Sequence, residues 1–420
     1  MKPQQPTQLL ARLPQAHYAV LERTVQRATP LGLRLWLVGG VVRDLLLDQP
    51  LSRDLDLAVE GDALALATTL AEAGDGRMVA AHAPFGTASI VIGAAGLQLD
   101  LAQTRSEHYA HPAALPQVTP APILADLARR DFSLNAMALE LRPTATGLSA
   151  GQFLDPFDGQ ADLARRQLRL LHANSLRDDP TRILRGLRLA SRLGLEPEPD
   201  SVAQITNAAT AGYLGLLSAE RILAELCLAL NEPRPDHVLR QADHWAITPQ
   251  LVPGLSWQAT LTERAERLVL AGLHEPMLWA GVLLYDQSAA ALAALTARYP
   301  LPGPWATLLR TLPALRDLAP SLADRPPSAR DRALHGYRIE AIQVLQYTEP
   351  QLASLLAHYL HTIRPARPLL NGDDLRRLGV KPGPAMGQLL AALRAATLDG
   401  VITTRAEAES WVQANYQESV

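Results

Sequence analysis

The sequence predicts an α+β protein: a small mixed sheet with helices at the N-terminal end, then an all-helical remainder. Two observations carry this. Through residue 145, short apolar runs bounded by Gly and Pro alternate with stretches of helical spacing. Beyond Asp162, nearly every segment has the spacing of an amphipathic helix and ends in a Pro- or Gly-containing turn. The composition agrees, being rich in Ala, Leu and Arg with only 5% aromatic residues.

The elements follow in order. Residues 35–38 form an apolar strand running into Gly39-Gly40, and residues 41–47 read as a helix start. Residues 55–59 are a second strand, and residues 62–72 have helical spacing. Residues 77–81, 87–92 and 97–102 are three more strands. In the helical part, breaks are expected near residues 195–200, 231–236, 299–304 and 322–328, where Pro and Gly cluster. No fixed-period repeat or long low-complexity tract interrupts the chain.

The bulk numbers exclude several classes. At 420 residues, 48% of them hydrophobic, the chain can bury large cores, and its length suggests two to four domains. The net charge of −3 gives no global sign of a polyanionic partner, so any RNA binding must rest on local basic faces. One cysteine, Cys227, excludes an intrachain disulfide and a multi-cysteine zinc site. Residues 1–13 hold no apolar run of signal length, and no stretch approaches about 18 uncharged apolar residues. A soluble, cytoplasmic protein with no membrane association and no stable protein partner is expected.

The sharpest constellation is Leu37-Val38-Gly39-Gly40-Val41-Val42-Arg43-Asp44, followed by Ser52-Arg53-Asp54-Leu55-Asp56. A strand that runs through Gly-Gly into a helix makes a phosphate cradle. Glycine admits close backbone approach, and the helix start offers free N–H groups. Arg43, about one turn into that helix, can reach the same phosphates. Asp54 and Asp56 lie two apart, so on a strand they point to one face. Two carboxylates on one face can hold two Mg²⁺ ions, one for the attacking hydroxyl and one for the leaving pyrophosphate. Asp100, on the 97–102 strand, is a candidate third carboxylate. An isolated Asp-x-Asp is usually a solvated strand end and an isolated Gly-Gly usually a turn; their combination at this spacing is far more specific.

That combination resembles the signature of the class II tRNA nucleotidyltransferase and bacterial poly(A) polymerase family, within the DNA polymerase beta-like nucleotidyltransferases. Further blocks extend the resemblance. Arg129-Arg130-Asp131-Phe132-Ser133-Leu134-Asn135 is similar to the family's Arg-Arg-Asp-Phe-Thr-x-Asn block, with Ser133 in place of Thr. There the resemblance implies that Arg130 contacts nucleotide sugar and phosphate, supported by Asp131 and Asn135. Asp155-Pro156-Phe157-Asp158-Gly159, with Asp162-Leu163, resembles the next block and reads as a structural turn.

Asp178-Asp179-Pro180-Thr181-Arg182 resembles the family's Glu-Asp-x-x-Arg nucleotide-selecting motif, with Asp178 where Glu is usual. By itself Asp179-Pro180 is a helix start, with Asp as N-cap and Pro in the first turn. Arg182, Arg185 and Arg188 then follow at three-residue steps near one face. The resemblance implies that Asp179 and Arg182 present a Watson–Crick-like edge to the incoming base, while Arg185 and Arg188 hold phosphate or support Arg182. A carboxylate acceptor and guanidinium donors suit cytosine and adenine edges. Ser218-Ala219-Glu220-Arg221 resembles the last block, and Glu220 and Arg221 are expected to brace the neck. Residues 368–384, with the turn Gly379-Val380-Lys381-Pro382-Gly383-Pro384, resemble the C-terminal block of longer members and suit a phosphate backbone, or simply connect two helices. No His-Asp dipeptide occurs, so no accessory phosphohydrolase is expected.

The resemblance implies four regions: a catalytic head at 1–145, a neck with the nucleotide-selecting helix at 146–230, a body at 231–330 and a tRNA-binding tail at 331–420. It implies template-independent addition of CCA, or its terminal A, to tRNA from CTP and ATP with release of pyrophosphate and Mg²⁺ as cofactor. Members restricted to CC addition resemble the others with a loop between Asp100 and Arg129 missing. This chain keeps Arg105-Ser106-Glu107-His108-Tyr109 and three prolines there. CC-only addition, poly(A) synthesis and an inert helical RNA-binding protein are the alternatives.

Overall fold

The computed structural model describes residues 6–93 and 96–416; part of the N-terminal reading of residues 1–13 therefore lies outside the described residues. The chain divides into two compact units. One comprises Met1–Glu225 with His244–Leu251, the other Leu226–Asp243 with Val252–Val420.

The first unit begins with helices α1 (Pro6–Leu10) and α2 (Gln15–Ala28), then strand β1 (Arg34–Val38), α3 (Gly40–Leu46), β2 (Asp54–Glu60) and α4 (Ala63–Glu72). Asp62 caps α4 by accepting the Leu64 and Ala65 N–H groups. Strands β3 (Gly76–His82), β4 (Thr87–Ile92) and β5 (Leu97–Gln103) follow, in close agreement with the spacing. A hairpin of β6 (Arg105–His108) and β7 (Gln117–Pro120), helix α5 (Ile123–Ala128), and strands β8 (Ala138–Thr144) and β9 (Gly147–Leu154) complete the sheet region. Seven strands lie in the order β3-β4-β5-β2-β1-β8-β9. Only β2 and β5 run parallel; the other pairs are antiparallel.

Side chains alternate along β2, so Asp54 and Asp56 share their face with Ala58. Ala58 packs with Trp36, Val38, Ile123 and Leu127, which places α5 over the same face. The opposite face buries Leu55, Leu57 and Val59. The apolar half of β2 thus anchors the strand while its first residues carry the carboxylates to the surface.

Beyond the sheet come α6 (Gly159–Arg165), a short parallel pair of β10 (Gln167–Leu168) and β11 (Glu196–Pro197), α7 (Ser175–Asp178), α8 (Thr181–Leu193), α9 (Pro199–Thr210) and α10 (Ala219–Leu230). Two features depart from the expected pattern. Strand β9 carries the sheet past residue 145, and β10 and β11 pair within the part expected to be wholly helical. Both rest on backbone pairing across the chain rather than on local apolar periodicity.

The second unit is helical: it takes nearly all of α11 (Pro235–His244) and every helix beyond Leu251, ending with α22 (Arg405–Asn415). All four expected breaks fall between helices or helical turns. Helix α14 (Pro276–Leu284) buries Leu278 through Leu284, so it is apolar on all sides. Its Gly281 leaves no room for a side chain: a Cβ there would lie 2.4 Å from Val344. Residues 370–412 close a separate small core around Leu375, Leu393 and Ala408. Cys227 is a free cysteine in α10, as expected.

Candidate active site

The Gly-Gly turn sits at the end of β1. Gly39 has φ 69° and ψ −136°, a conformation essentially reserved for glycine, and it stands at the N-cap of α3. A Cβ on Gly39 would lie 3.4 Å from Arg130 Nη1 and 3.5 Å from Asp56 Oδ2. Three of the expected site residues therefore meet at one point. Gly40 is equally close to Arg43, whose Nη2 would lie 3.3 Å from a Cβ there. The Arg43 guanidinium thus folds back over the start of its own helix. It is buried, paired with Asp44 at 2.8 Å, and donates from Nη1 to Asn135 Oδ1 at 2.8 Å.

Asp54 and Asp56 both reach solvent at the start of β2, with protein packed closely around the Asp56 carboxyl. Burial by surrounding protein is the largest influence on the Asp56 carboxyl and raises its pKa; Asp100 and Asp54 add to the rise, and Arg130 and Arg185 oppose it. Asp100 lies beside Asp56 in the parallel register. Its carboxylate, however, accepts from Ser89 Oγ at 2.5 Å and from Gln98 Nε2 at 3.1 and 3.2 Å. Among the described residues no group of three or more His, Cys, Asp or Glu side chains is arranged to hold a metal ion. The structure therefore offers two free carboxylates rather than three, with Asp100 acting on Asp56 through its charge. A cation would relieve the negative charge crowded around Asp56. Two carboxylates, with the remaining positions left to water and phosphate oxygens, suit a hard divalent cation.

Arg130 is set by Asp126, which accepts from its Nη2 at 2.9 Å and from Arg129 Nη2 at 2.6 Å. Burial pushes the Asp126 pKa up, but the charges of Arg130 and Arg129 outweigh it and hold the carboxyl below its ordinary value. Arg130 Nε is buried with no partner, on a guanidinium that faces Gly39 and Asp56. Sequence reasoning missed Asp126, although its place three and four residues before two arginines is a readable helical pairing.

Residues 129–135 form a turn rather than a helix, with one 3₁₀ turn at Ser133–Asn135. Asn135 donates to Asp131, and Asp131 accepts from Arg185 on α8 at 2.7 and 2.9 Å. A continuous chain of bonds thus runs from Arg43 through Asn135 and Asp131 to Arg185. Burial pushes the Asp131 pKa up, but the Arg185 charge and the hydrogen bonds from Asn135 and Arg185 hold it down at about 2. Ser133 donates to Asp162, which also accepts from Arg169, so the expected structural turn is a locked joint.

The nucleotide-selecting motif behaves differently from its expectation. The N-cap of α8 is Pro180, one residue later than expected, although the Asp179 carboxylate still accepts the Thr181 N–H at 3.1 Å. Asp179 also accepts from Thr181 Oγ1 and from Arg221 Nη2. Arg182 is buried, donating to Ser175 Oγ and to the Arg129 carbonyl, both at 2.7 Å. Both side chains are thus engaged within the protein, and they do not present a shared open edge in this conformation. Arg188 pairs with Glu225 at 3.0 Å. Of the two expected braces, Arg221 holds Asp179, whereas Glu220 is exposed at the start of α10.

The segment between Asp100 and Arg130 is ordered by charge. Glu107 accepts from Arg105, Arg129 and Tyr109. At the tip, Ala113 takes φ 61° and donates its N–H to the Arg177 carbonyl at 3.1 Å. A cavity of about 180 Å³ at the base of the hairpin is lined by Phe85, Gln103, Arg105 and Val118, not by Asp54 or Asp56.

Comparison with known proteins follows this geometry. Residues 35–169 match the poly(A) polymerase head domain family. The chain is 35% identical to an A-adding tRNA nucleotidyltransferase of Halalkalibacterium halodurans, over 93% of this chain and 91% of the relative. It is also 35% identical to a CC-adding tRNA nucleotidyltransferase of Deinococcus radiodurans, over 97% and 96% respectively. Among solved structures, it resembles the Thermotoga maritima CCA-adding enzyme complexed with tRNA, at a TM-score of 0.77 and 26% identity, covering 99% of both chains.

Proposed function

Because the chain belongs to the tRNA nucleotidyltransferase family, whose head domain it shares with poly(A) polymerase, we propose that it adds CCA, or its terminal A, to tRNA from CTP and ATP. The observation that carries this reading is the convergence of Asp56, Arg130 and Gly39, beside Asp54 and the start of α3. One side of that point offers free carboxylates, and the other offers guanidinium groups and backbone N–H. A nucleoside triphosphate and a divalent cation are the ligands such an arrangement takes.

In the proposed reaction the tRNA 3′-hydroxyl attacks the α-phosphorus of the bound nucleotide. The new phosphodiester forms as the bond to the β-phosphate breaks, and pyrophosphate departs. Gly39 and Gly40 allow the triphosphate to approach the backbone, and the first N–H groups of α3 face it. Arg43 and Arg130 carry the charge that offsets the phosphates. Asp54 and Asp56 hold the divalent cation that this family's chemistry uses; Mg²⁺ is the proposed ion, and when bound it lowers the pKa of the attacking hydroxyl and neutralises the leaving group. Asp179 and Arg182 choose the base once they are released from their present partners. Arg185, bound to Asp131, and Arg188, paired with Glu225, hold the selecting helix in place and so support Arg182.

The regions at 1–145, 146–230, 231–330 and 331–420 are proposed as head, neck, body and tRNA-binding tail. A cytoplasmic location is proposed as well; among the described residues no helix is long and apolar enough to cross a membrane. The intact β6–β7 hairpin favours an enzyme able to add A. Restriction to CC addition is the second reading, favoured by the similarity to the Deinococcus relative.

The test uses purified protein, Mg²⁺ and three tRNA transcripts ending before CCA, after C and after CC. Each receives CTP, ATP or both. Completion of all three marks a full CCA enzyme, A addition only to the CC-ended transcript marks a terminal-A enzyme, and arrest at CC establishes the second reading. Asp54→Ala is expected to abolish incorporation while tRNA binding survives; near-wild-type turnover in that variant would overturn the metal assignment.

A further inference from the structure

We propose that the RNA strand ending in the reactive 3′-hydroxyl crosses the open face of β5, β4 and β3, and that Arg77 on the edge strand holds one of its phosphates. The inference rests on the reaction proposed above and adds the path of that strand over the sheet.

The direction follows from the chemistry. In an in-line displacement the attacking oxygen enters opposite the departing pyrophosphate. The phosphate cradle, Gly39-Gly40 with α3, stands on the β1 side of β2. The hydroxyl therefore arrives from the other side, where β5, β4 and β3 follow in order. On the β1 side the same face is already filled, because α5 packs over Trp36, Val38 and Ala58.

The two faces of β5, β4 and β3 differ. One buries Ile90, Ile92, Leu99 and Leu101, with α4 packed on these strands. The other carries Ser89, Val91, Gln98 and Asp100, all only partly buried. The register joins this half-open face to the carboxylates. Asp54 lies level with Gln98, Val91 and Arg77 through three successive pairings, and Asp56 with Asp100 and Ser89. Three strand spacings put Arg77 about 15 Å from Asp54, the length of about four stacked nucleotides.

Arg77 supplies the cation that such a path needs. It is exposed, and among the described residues its side chain has no ion pair or hydrogen bond. Asp75, the acid nearest to it along the chain, is taken by Arg23 at 3.6 Å and Arg27 at 2.6 Å. Elsewhere in this unit Arg34, Arg105, Arg129 and Arg142 would each have to leave a carboxylate to meet a phosphate. Arg77 leaves none. Protection of the sheet edge does not account for it. The register of β3 already shifts between Met78 and Ala80, which makes the edge a poor template for another strand.

The test uses the full-length protein and a tRNA transcript ending after CC, with affinity read by fluorescence anisotropy over a potassium chloride series. Arg77→Ala is expected to weaken binding about threefold or more and to make the slope of log affinity against log salt shallower by about one, while Arg77→Lys stays near wild type. On a transcript trimmed of its unpaired 3′ end, wild type and Arg77→Ala should bind alike. Independently, an iron–EDTA group tethered at Arg77→Cys, in a Cys227→Ala background, should cleave the tRNA within the last few nucleotides of its 3′ strand. Equal affinity and slope in wild type and Arg77→Ala would overturn the inference. So would a loss that persists on the trimmed transcript, or cleavage confined to other parts of the tRNA. None of these readouts needs turnover, so the two readings fail separately. A protein that extends tRNA yet fails them loses only this strand path; one that extends no transcript loses the proposed reaction and the inference with it.

Discussion

Asp56 shows how single residues set the chemistry of this site. Burial, with the charges of Asp100 and Asp54, raises its pKa, while Arg130 and Arg185 pull it down. A raised value means that Asp56 takes up its proton at a higher pH than an ordinary carboxylate. In the proposed reaction ionised Asp56 holds the cation, so activity should be lost as pH falls through that value. Asp100→Asn removes one neighbouring negative charge and keeps a group that Ser89 and Gln98 can still bind. The acid limb of kcat/KM should therefore move to lower pH in Asp100→Asn, and the pH profile of single-nucleotide incorporation checks it. A limb that stays in place would mean that Asp100 does not act through its charge. Much of the residue-scale picture was legible beforehand: Gly39, Gly40, Arg43, Asp54 and Asp56 form a local pattern, and β2 buries Leu55, Leu57 and Val59 on the face opposite the two carboxylates. Ser89 was not, because its bond to Asp100 is fixed by the pairing of β4 with β5; Asp126 could have been found from its helical spacing to Arg129 and Arg130.

Helix α8 carries the proposed selecting motif, and its placement depends on packing as much as on charge. Gly186 lies against the buried ring of Phe132, and a Cβ there would stand 2.9 Å from Phe132 Cζ. Because the ring is enclosed, it cannot give way without moving the 129–135 turn that holds Arg130. Gly186→Ala gains helix propensity but should still lose stability, by roughly 1–3 kcal/mol from overpacking. Thermal melting should show a lower midpoint, and incorporation should fall with it; an unchanged or raised midpoint would show that the helix shifts freely. Element by element, the apolar strands were readable and the polar ones were not. Strand β6 is Arg-Ser-Glu-His, with no apolar alternation, and it pairs because Glu107 gathers Arg105, Arg129 and Tyr109 around it. Strand β8 contains Pro143, which argues against a central strand. The residue lies beyond 138–141, the stretch paired with β1, so its missing N–H leaves that ladder intact.

At the scale of the whole molecule, charge decides how a tRNA can be held. The chain has 39 basic and 42 acidic residues, and only Lys2 and Lys381 among the basic ones are lysines. A net charge of −3 repels a polyanion weakly, so attraction must come from arginines placed locally. Many of those are already committed: Arg34 pairs with Glu60 and Glu140, Arg185 with Asp131, and Arg394 with Asp331. A guanidinium that must leave a carboxylate before meeting a phosphate gains little from the exchange. Few phosphates should therefore be neutralised on binding, and recognition should lean on shape, hydrogen bonds and the 3′ end. Each neutralised phosphate contributes roughly −0.7 to −0.9 to the slope of log affinity against log salt, so about four to six of them give a slope near −3 to −5. Fluorescence anisotropy with a labelled tRNA transcript, at potassium chloride from about 50 to about 300 mM, measures that slope. A value steeper than about −8 would require a broad basic face assembled from arginines that this structure keeps paired, and would mean that tRNA binding breaks many of those pairs.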